Sequence, residues 1–310
     1  MWLSNYSLHK YIKLSNCYQL FLICFVNNFI SNKLADIKIN RFMVEKVVII
    51  TGASSGIGKA CAIRFAKENV AIVIAARNTE NLHVTAEELK PYTPYILQVA
   101  CDVAKKEDCE RLIEETINAY GRIDVLINNA GISMRALFNE MDVEVLEKVM
   151  NINFYGTVYC TKYALPYLLQ SKGTVVGVSS IAGFVGLPAR TGYSASKFAM
   201  QGFLEALRTE NLKTGLNVLI ACPGFTSSNI RNTALSADGN AQKESPRDES
   251  KMMTSEEVAE EIYKAVAKNK QRLILTFEGK MAVFLSKFFP KLISKLVYNK
   301  MAQEPNSPIK

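Results

Sequence analysis

The sequence predicts an α/β protein, built on one doubly wound parallel sheet of about seven strands with helices on both faces. Three observations carry that expectation. Short β-branched runs recur from Val47 to Leu275, each followed by a helical stretch, the alternation that parallel strands and crossover helices require. The first run ends in a glycine-rich turn, Thr51-Gly52-Ala53-Ser54-Ser55-Gly56-Ile57-Gly58. Polar and glycine residues gather at the expected carboxyl ends of the strands, where such sheets bind ligands.

The chain has 310 residues, 49% hydrophobic and 21% charged, enough to bury a large core. Seven scattered cysteines without a Cys-x-x-Cys pair, and only two histidines, argue against a zinc site or a disulfide framework; a reducing, cytoplasmic compartment fits. The formal charge of +8 is uneven. Residues 1–42 hold Lys10, Lys13, Lys33, Lys38 and Arg41 against Asp36, and the stretch from Met281 holds Lys287, Lys291, Lys295, Lys300 and Lys310 against Glu304. The middle is close to neutral and shows no aromatic-basic constellation, so no nucleic-acid partner is expected.

Residues 1–42 form an extension of different composition, rich in Asn, Ser, Lys and Ile. Its apolar run, Tyr18 to Ile30, is broken by Asn27 and Asn28 and falls short of the roughly 20 residues of a spanning helix. Three readings stand in order: a disordered extension or upstream sequence ahead of a start at Met43, a weak membrane anchor, and a secretory signal.

From Met43 the elements follow in turn. Glu45–Thr51 reads as a buried strand, the glycine turn follows, and a helix runs from Lys59 to Glu68. Strand, glycine turn and helix in this order make a Rossmann-type dinucleotide site, with the helix N-terminus facing the pyrophosphate. The spacing is Gly-x-x-x-Gly-x-Gly rather than the commoner Gly-x-Gly-x-x-Gly. Val70–Ala76 is the second strand. At its end an acidic residue would read the ribose 2′-hydroxyl of NAD; the chain has Ala76 and Arg77, and a guanidinium suits the 2′-phosphate of NADP. Tyr95–Ala100 is the third strand, ending at Asp102 and Val103, where Asp102 can meet the adenine amino group or cap a helix near Lys105. Asp124–Asn128 is the fourth and runs into Asn129, Ala130 and Gly131, either a loop against a bound ring or a plain turn.

A long helix is expected from Met141 to Leu169, with Asn153 inside it as a kink or a water-holding residue. Thr174–Ser179 is the fifth strand, a further helix reaches about Lys213, and Asn217–Ala221 is the sixth strand, ending in a turn at Cys222-Pro223-Gly224. The irregular stretch 225–253 reads as a lid. Thr254–Asn269 is a helix with its capping box, and Arg272–Thr276 the last strand. Residues 278–310 form a basic amphipathic tail with Pro290 as a kink or restart; it packs over the pocket or on a partner subunit, or else lies on an anionic membrane surface.

One pair remains. Tyr193 and Lys197 lie four apart on a helix, one turn from each other on one face. A cation there favours the phenolate, and a tyrosine so tuned can pass a proton at neutral pH. Alone the pair is weak. With the glycine turn TGASSGIG, NNAG at Asn128–Gly131, Asn153 ahead of Gly156, Ser180 thirteen residues before Tyr193, YSASK at Tyr193–Lys197 and the Pro223-Gly224 turn, all in order, the chain from about Val44 to Phe277 resembles the short-chain dehydrogenase/reductase family in its single-domain form.

That resemblance implies a function. Tyr193 would be the general acid or base, Lys197 would bind the nicotinamide ribose and lower the Tyr193 pKa, Ser180 would hold the substrate oxygen, and Asn153 would support a relay water. The cofactor would meet Gly52, Ser54, Ser55, Gly56, Ile57, Gly58, Arg77, Asp102, Val103, Asn129, Ala130, Gly131, Tyr193, Lys197, Pro223 and Gly224. Thr226, Ser227 and Ser228 offer a hydroxyl for the carboxamide, with Thr226 the one expected. The cofactor would be NADP(H) rather than NAD(H), although Ser55 stands where many NADP-using relatives carry a basic residue, so this rests on Arg77. The reaction would interconvert a ketone or aldehyde and an alcohol, as in the carbonyl reductase and hydroxysteroid-dehydrogenase-like group. The expected partners are a small, apolar carbonyl or alcohol substrate, a membrane surface met through the tail, and further copies of the chain in a homodimer or homotetramer. Two alternatives stand beside it: a membrane-associated reductase of lipid ketones and a non-catalytic NADP-binding regulator.

Overall fold

The structure is a computed structural model, and it describes residues 44–227, 230–242 and 252–309. The chain divides into Met1–Val44 and Glu45–Lys310, and the second unit is the one described. Residues 1–42, whose three readings were given above, lie outside the described residues.

Seven parallel strands form one sheet: β1 (Val47–Thr51), β2 (Ala71–Ala76), β3 (Ile96–Ala100), β4 (Val125–Asn128), β5 (Thr174–Val178), β6 (Asn217–Cys222) and β7 (Arg272–Ile274). Their spatial order is β3-β2-β1-β4-β5-β6-β7. The chain steps outward from β1 to β3, returns to the other side of β1 with β4, and continues to β7, so the strand order reverses between β1 and β4. A crevice opens at the carboxyl ends at this point, the usual ligand site of such a sheet. β1, β2, β4 and β5 are buried at every position, as expected of strands covered on both faces. The register of β1 against β4 is fixed by Asp124, whose carboxylate accepts from the Val47 N–H at 2.9 Å and from Arg122 at 2.7 and 2.9 Å.

The helices are α1 (Gly56–Ala66), α2 (Thr79–Leu89), α3 (Lys106–Tyr120), α4 (Val143–Met150), α5 (Gly156–Ser171), α6 (Thr191–Glu210), α7 (Ser255–Ala267), α8 (Phe277–Phe288) and α9 (Pro290–Ala302). α1 packs on α7: Arg64 bonds Glu260 and Glu68, and its guanidinium lies 3.5 Å from the Tyr263 ring centroid. The helix expected over 141–169 is two helices separated by a π-turn, Asn151–Tyr155. One wide turn re-aims Asn153, which is fully buried, toward the crevice.

The tail restarts at Pro290, which occupies the first turn of α9 where its missing N–H leaves no bond unmade. α8 and α9 bury Val283, Ile293 and Met301 against the domain, each worth about 1.5–3 kcal/mol when fully covered. Of the stretch 225–253, residues 228–229 and 243–251 lie outside the described residues. The rest runs against the domain, with Leu235 bridging to Met134 and Thr226 to Met253.

Candidate functional site

The glycine turn carries the first half of the site. Gly52 and Gly56 adopt φ of +66° and +54°, the left-handed region that side chains rarely enter. Gly58 is required for another reason: a Cβ there would stand 2.3 Å from the Gly52 carbonyl oxygen and 2.4 Å from Asn129 Nδ2. The turn is tied to the end of β4. Thr51 Oγ1 accepts from the N–H groups of Asn129 and Ala130, both at 3.1 Å, and Asn129 Nδ2 donates to the carbonyls of Thr51 and Gly52 at 2.9 and 3.1 Å. The side chain of Asn129 is therefore spent on holding the two loops together. α1 starts at Gly56 with no side-chain cap and no acidic residue in its first turn, leaving its N-terminal amides and positive dipole end for an anion.

A cleft of about 730 Å³ runs along these loops. It is lined by Gly52, Ser54, Ser55, Gly56 and Ile57, by Arg77, Asp102 and Val103 after β2 and β3, and by Asn129, Ala130 and Gly131 after β4. The bare glycine cradle, the open helix terminus and the long cleft fit a dinucleotide. Arg77 is exposed at the end of β2, beside Asn78. Asp102 does not cap α3, whose N-cap is Lys105; its carboxylate accepts instead from Ala104 N–H at 3.1 Å, closing the turn before the helix.

α6 carries the second half. Tyr193 and Lys197 stand on one face, with the Lys197 ammonium 5.8 Å from the Tyr193 ring centroid. Lys197 Nζ donates to the Val178 carbonyl at 2.9 Å, at the end of β5. Burial pulls its pKa down from 10.5 to about 8. Burial also raises the Tyr193 phenol above its ordinary value, against the opposing effects of a hydrogen bond with Ser180 and the charge of Arg190. The direction is opposite to the one expected from the lysine: burial outweighs the groups that favour the phenolate. Ser180 lies at the start of a short 3₁₀ turn (Ile181–Gly183), and its Oγ accepts from Ala182 N–H at 3.1 Å.

Asn153 reaches across from the π-turn. Its Oδ1 accepts from Ile132 N–H at 2.8 Å, and its Nδ2 donates to the Ile132 carbonyl and to Ser196 Oγ, both at 2.9 Å. It clamps the 129–132 loop to α6. A Cβ at Gly131 would sit 3.2 Å from Asn153 Oδ1 and 3.6 Å from Lys197 Nζ, so glycine there keeps the space between those atoms clear.

A smaller pocket of about 140 Å³ brings together Ser180, Tyr193, Lys197, Pro223, Gly224 and Thr226. It shares Ile57, Asn129 and Gly131 with the long cleft, so the two are continuous. Thr226 Oγ1 donates to the Gly224 carbonyl at 3.2 Å; Ser228 lies outside the described residues. Beyond Ser180, Leu187 and Phe225 an apolar chamber of about 190 Å³ continues to Ile293, Leu296 and Val297 of α9. Of the site residues expected from the sequence, Gly58 and Asn153 line neither the long cleft nor the small pocket and stand behind them, Gly58 against Gly52 and Asn153 against Ile132 and Ser196; the others line the two. Sequence reasoning missed Gln201, Arg190 and Arg231, and it placed Thr51 at the strand end without the bonds its hydroxyl makes to the next loop. Gln201 Nε2 donates to Ser179 Oγ at 2.9 Å, and the two arginines line the small pocket. Gln201 is four residues after Lys197 and so on the same helical face, a signal that was available. Among the described residues no group of His, Cys, Asp or Glu could hold a metal ion, and no helix is long and apolar enough to cross a membrane.

Comparison with known proteins bears on this arrangement. The model of the short chain dehydrogenase family matches residues 46–239. The chain is 33% identical over 279 residues to "Dehydrogenase/reductase SDR family member 7B" of Mus musculus, covering 87% of this chain and 86% of the relative. It is 42% identical over 197 residues to "11-beta-hydroxysteroid dehydrogenase A" of Arachis hypogaea, covering 63% and 56%. A short chain dehydrogenase/reductase from Burkholderia phymatum, solved in complex with NAD, has the same fold at a TM-score of 0.72 and 22% identity, covering 80% of this chain and 95% of that one. With its reversed sheet order, its glycine cradle and a family match across most of the sheet, the chain belongs to the short-chain dehydrogenase/reductase family of oxidoreductases.

Proposed function

We propose that the protein is an NADP(H)-dependent oxidoreductase that interconverts a ketone or aldehyde and an alcohol. The observation that carries this is that Tyr193, Ser180 and Lys197 line one pocket continuous with the glycine cradle. NADP(H), when bound, supplies or accepts the hydride. The residues do the rest. A phenol held above its ordinary pKa stays protonated at neutral pH and gives its proton to a carbonyl oxygen as charge develops there. Ser180 donates to the same oxygen and fixes its position. Lys197, cationic below about pH 8, stabilises the phenolate left behind and binds the nicotinamide ribose. Asn153 Oδ1 and Lys197 Nζ, facing each other across Gly131, hold the water that returns the proton from solvent. Arg77 at the β2 end supports NADP over NAD, since a guanidinium pairs with a 2′-phosphate.

The test is NADPH consumption across aliphatic, steroid and sphingoid ketones, with NADH alongside. Tyr193→Phe is expected to lower kcat by about 10²–10⁴-fold while NADPH still binds. Full turnover in that variant would overturn the assignment, and NADPH binding without turnover of any carbonyl would favour a cofactor-binding regulator.

A second reading concerns location. α8 and α9 expose Phe277, Phe284, Phe288, Phe289, Leu292 and Leu296, interspersed with Lys280, Lys287, Lys291 and Lys295. Apolar and cationic side chains together on exposed helices favour contact with an anionic lipid surface, so that an apolar substrate enters the chamber beneath α9 from the lipid. Flotation with phosphatidylserine vesicles tests it: co-flotation that falls with salt and is lost in Phe284→Ser/Phe288→Ser is expected, and no flotation of the intact protein would refute it. The homodimer or homotetramer is read separately by sedimentation; a monomer at assay concentration would remove it.

A further inference from the structure

A charged cluster at the start of α6 is not used by the proposed chemistry. Arg190 is the N-cap of this helix and lines the pocket of Tyr193, one turn before it. Its guanidinium is turned away from a solvated position: the residue is 9% exposed, and Nη2 lies 2.9 Å from Glu304 Oε2. Arg135 Nη2 approaches the same oxygen at 3.6 Å and donates to the Pro305 carbonyl at 2.7 Å. The Glu304 side chain is 3% exposed. A carboxylate so buried is tolerated because two guanidiniums face it.

The chain around Glu304 is folded to present it. Glu304 N–H donates to the Met301 carbonyl at 3.2 Å, Ser307 Oγ to the same carbonyl at 2.9 Å, and Ile309 N–H to Ser307 Oγ at 3.2 Å. Met301 and Ile309 pack on Ala189. Ala189 has φ of +59°, a conformation that alanine adopts only at a cost, and its carbonyl accepts from Ala136 N–H at 3.0 Å. Strain immediately before a helix persists only where the surroundings impose it, and here the surroundings are residues 135–137 and 301–309. The first turn of α6, which carries Tyr193, is therefore held from outside by the tail.

We propose that Glu304 is a positioning residue for Tyr193: by pairing with Arg190 it fixes the first turn of α6, and it makes the geometry of the proton-donating site depend on the docked tail. This rests on the reading of Tyr193 given above. Glu304 also neutralises Arg190, whose charge acts on the phenol. Among the described residues, Ser180 after β5, Arg190 and Lys197 on α6, Cys222 at the end of β6, and Arg231 face Tyr193, and Arg190 and Arg135 are among the groups that face Glu304. Taking the negative charge from Glu304 leaves Arg190 acting on the phenol uncompensated, and this lowers the pH at which Tyr193 ionises.

The experiment compares the full chain with Glu304→Gln and Glu304→Asp. Tyr193 ionisation is followed by its ultraviolet phenolate band, each protein against the same protein carrying Tyr193→Phe. This readout needs no turnover, so it stands even where the assigned reaction fails. Glu304→Gln is expected to move the Tyr193 titration down by about one pH unit, to bring the alkaline fall of kcat down with it, and to lower kcat about tenfold with NADPH affinity unchanged. Glu304→Asp, which keeps the charge, is expected to restore the titration most of the way. An unchanged titration and kcat in a folded Glu304→Gln would overturn the proposal, as would an equal fall in Glu304→Asp. If Glu304→Gln does not fold, Arg190→Gln decides: loss of the guanidinium that joins Glu304 to the first turn of α6 is expected to move the Tyr193 titration up and to lower kcat, and an unchanged titration and kcat would overturn the proposal.

Discussion

Lys197 shows at the level of one residue how a site can cost stability. An ammonium 3% exposed, with its pKa pulled from 10.5 to about 8, is worse solvated folded than unfolded. The gap corresponds to a cost of about 3 kcal/mol below pH 8. The sign follows: the folded pKa lies below the unfolded one, so between about pH 8 and 10.5 the unfolded chain binds more protons and stability rises with pH. Lys197→Met removes that segment of the curve. It also leaves the Val178 carbonyl without this donor, at about 1–3 kcal/mol. The net expected at pH 7 is a gain of about 1 kcal/mol, read as a rise in Tm of a few degrees together with loss of turnover; a lower Tm would show the ammonium to be stabilising. At Arg77 the expected outcome is simpler. Arg77→Glu should reduce the preference for NADPH over NADH at least tenfold, measured as the ratio of kcat/KM; an unchanged ratio would remove its role. The glycine turn and the Tyr193–Lys197 pair were legible in the sequence because left-handed backbone and one helical turn fix their spacing, while Ser180 was reached only through the family resemblance. The bonding of Thr51 was not legible: a threonine ending a strand looks like any β-branched residue until its hydroxyl is seen collecting the two N–H groups of the next loop.

Among the elements, the strands were legible to within a residue or two at each end, since each is an apolar run closed by a polar or glycine residue. The exception is the stretch 141–169. Its apolar periodicity is continuous, so it reads as one helix; the widened turn at Asn151–Tyr155 changes the hydrogen-bond ladder without breaking the pattern. The turn before α1 allows a prediction of its own. Gly58→Ala would drive a Cβ into the Gly52 carbonyl, which is backbone and cannot step aside. Loss of NADPH binding by at least about tenfold (1.4 kcal/mol) is expected, with the far-ultraviolet circular dichroism retained. Normal NADPH affinity in this variant would mean that the cradle is looser than its geometry states.

Across the whole molecule, the alternation of strands and helices sufficed for the sheet, while the order in which the strands lie had to come from the structure. The tail was legible as amphipathic, but not in what it does. Phe284 and Leu292 fall into the same apolar pattern as Val283 and Ile293, yet the first two are exposed and the second two buried. Pattern alone cannot divide an apolar stripe between two environments. The chamber under α9 sets a further expectation. Removing residues 277–309 leaves the long cleft untouched, so NADPH should still bind; loss of Glu304 should lower turnover of every carbonyl, and loss of a chamber wall should lower kcat/KM for apolar ketones at least tenfold further. Equal loss for small, polar carbonyls would point to damage at Tyr193 and not to the chamber.

The pairing of Arg190 with Glu304 joins positions 114 residues apart. A growing chain is made from its amino end, and a segment can close on its partner only after the partner has left the ribosome. The sheet and the glycine cradle use residues up to Ile274, so both can form while the tail is still being made. The Arg190–Glu304 pair cannot close until the stretch around Glu304 arrives. A nascent chain can therefore present its glycine cradle some time before Arg190 has its partner.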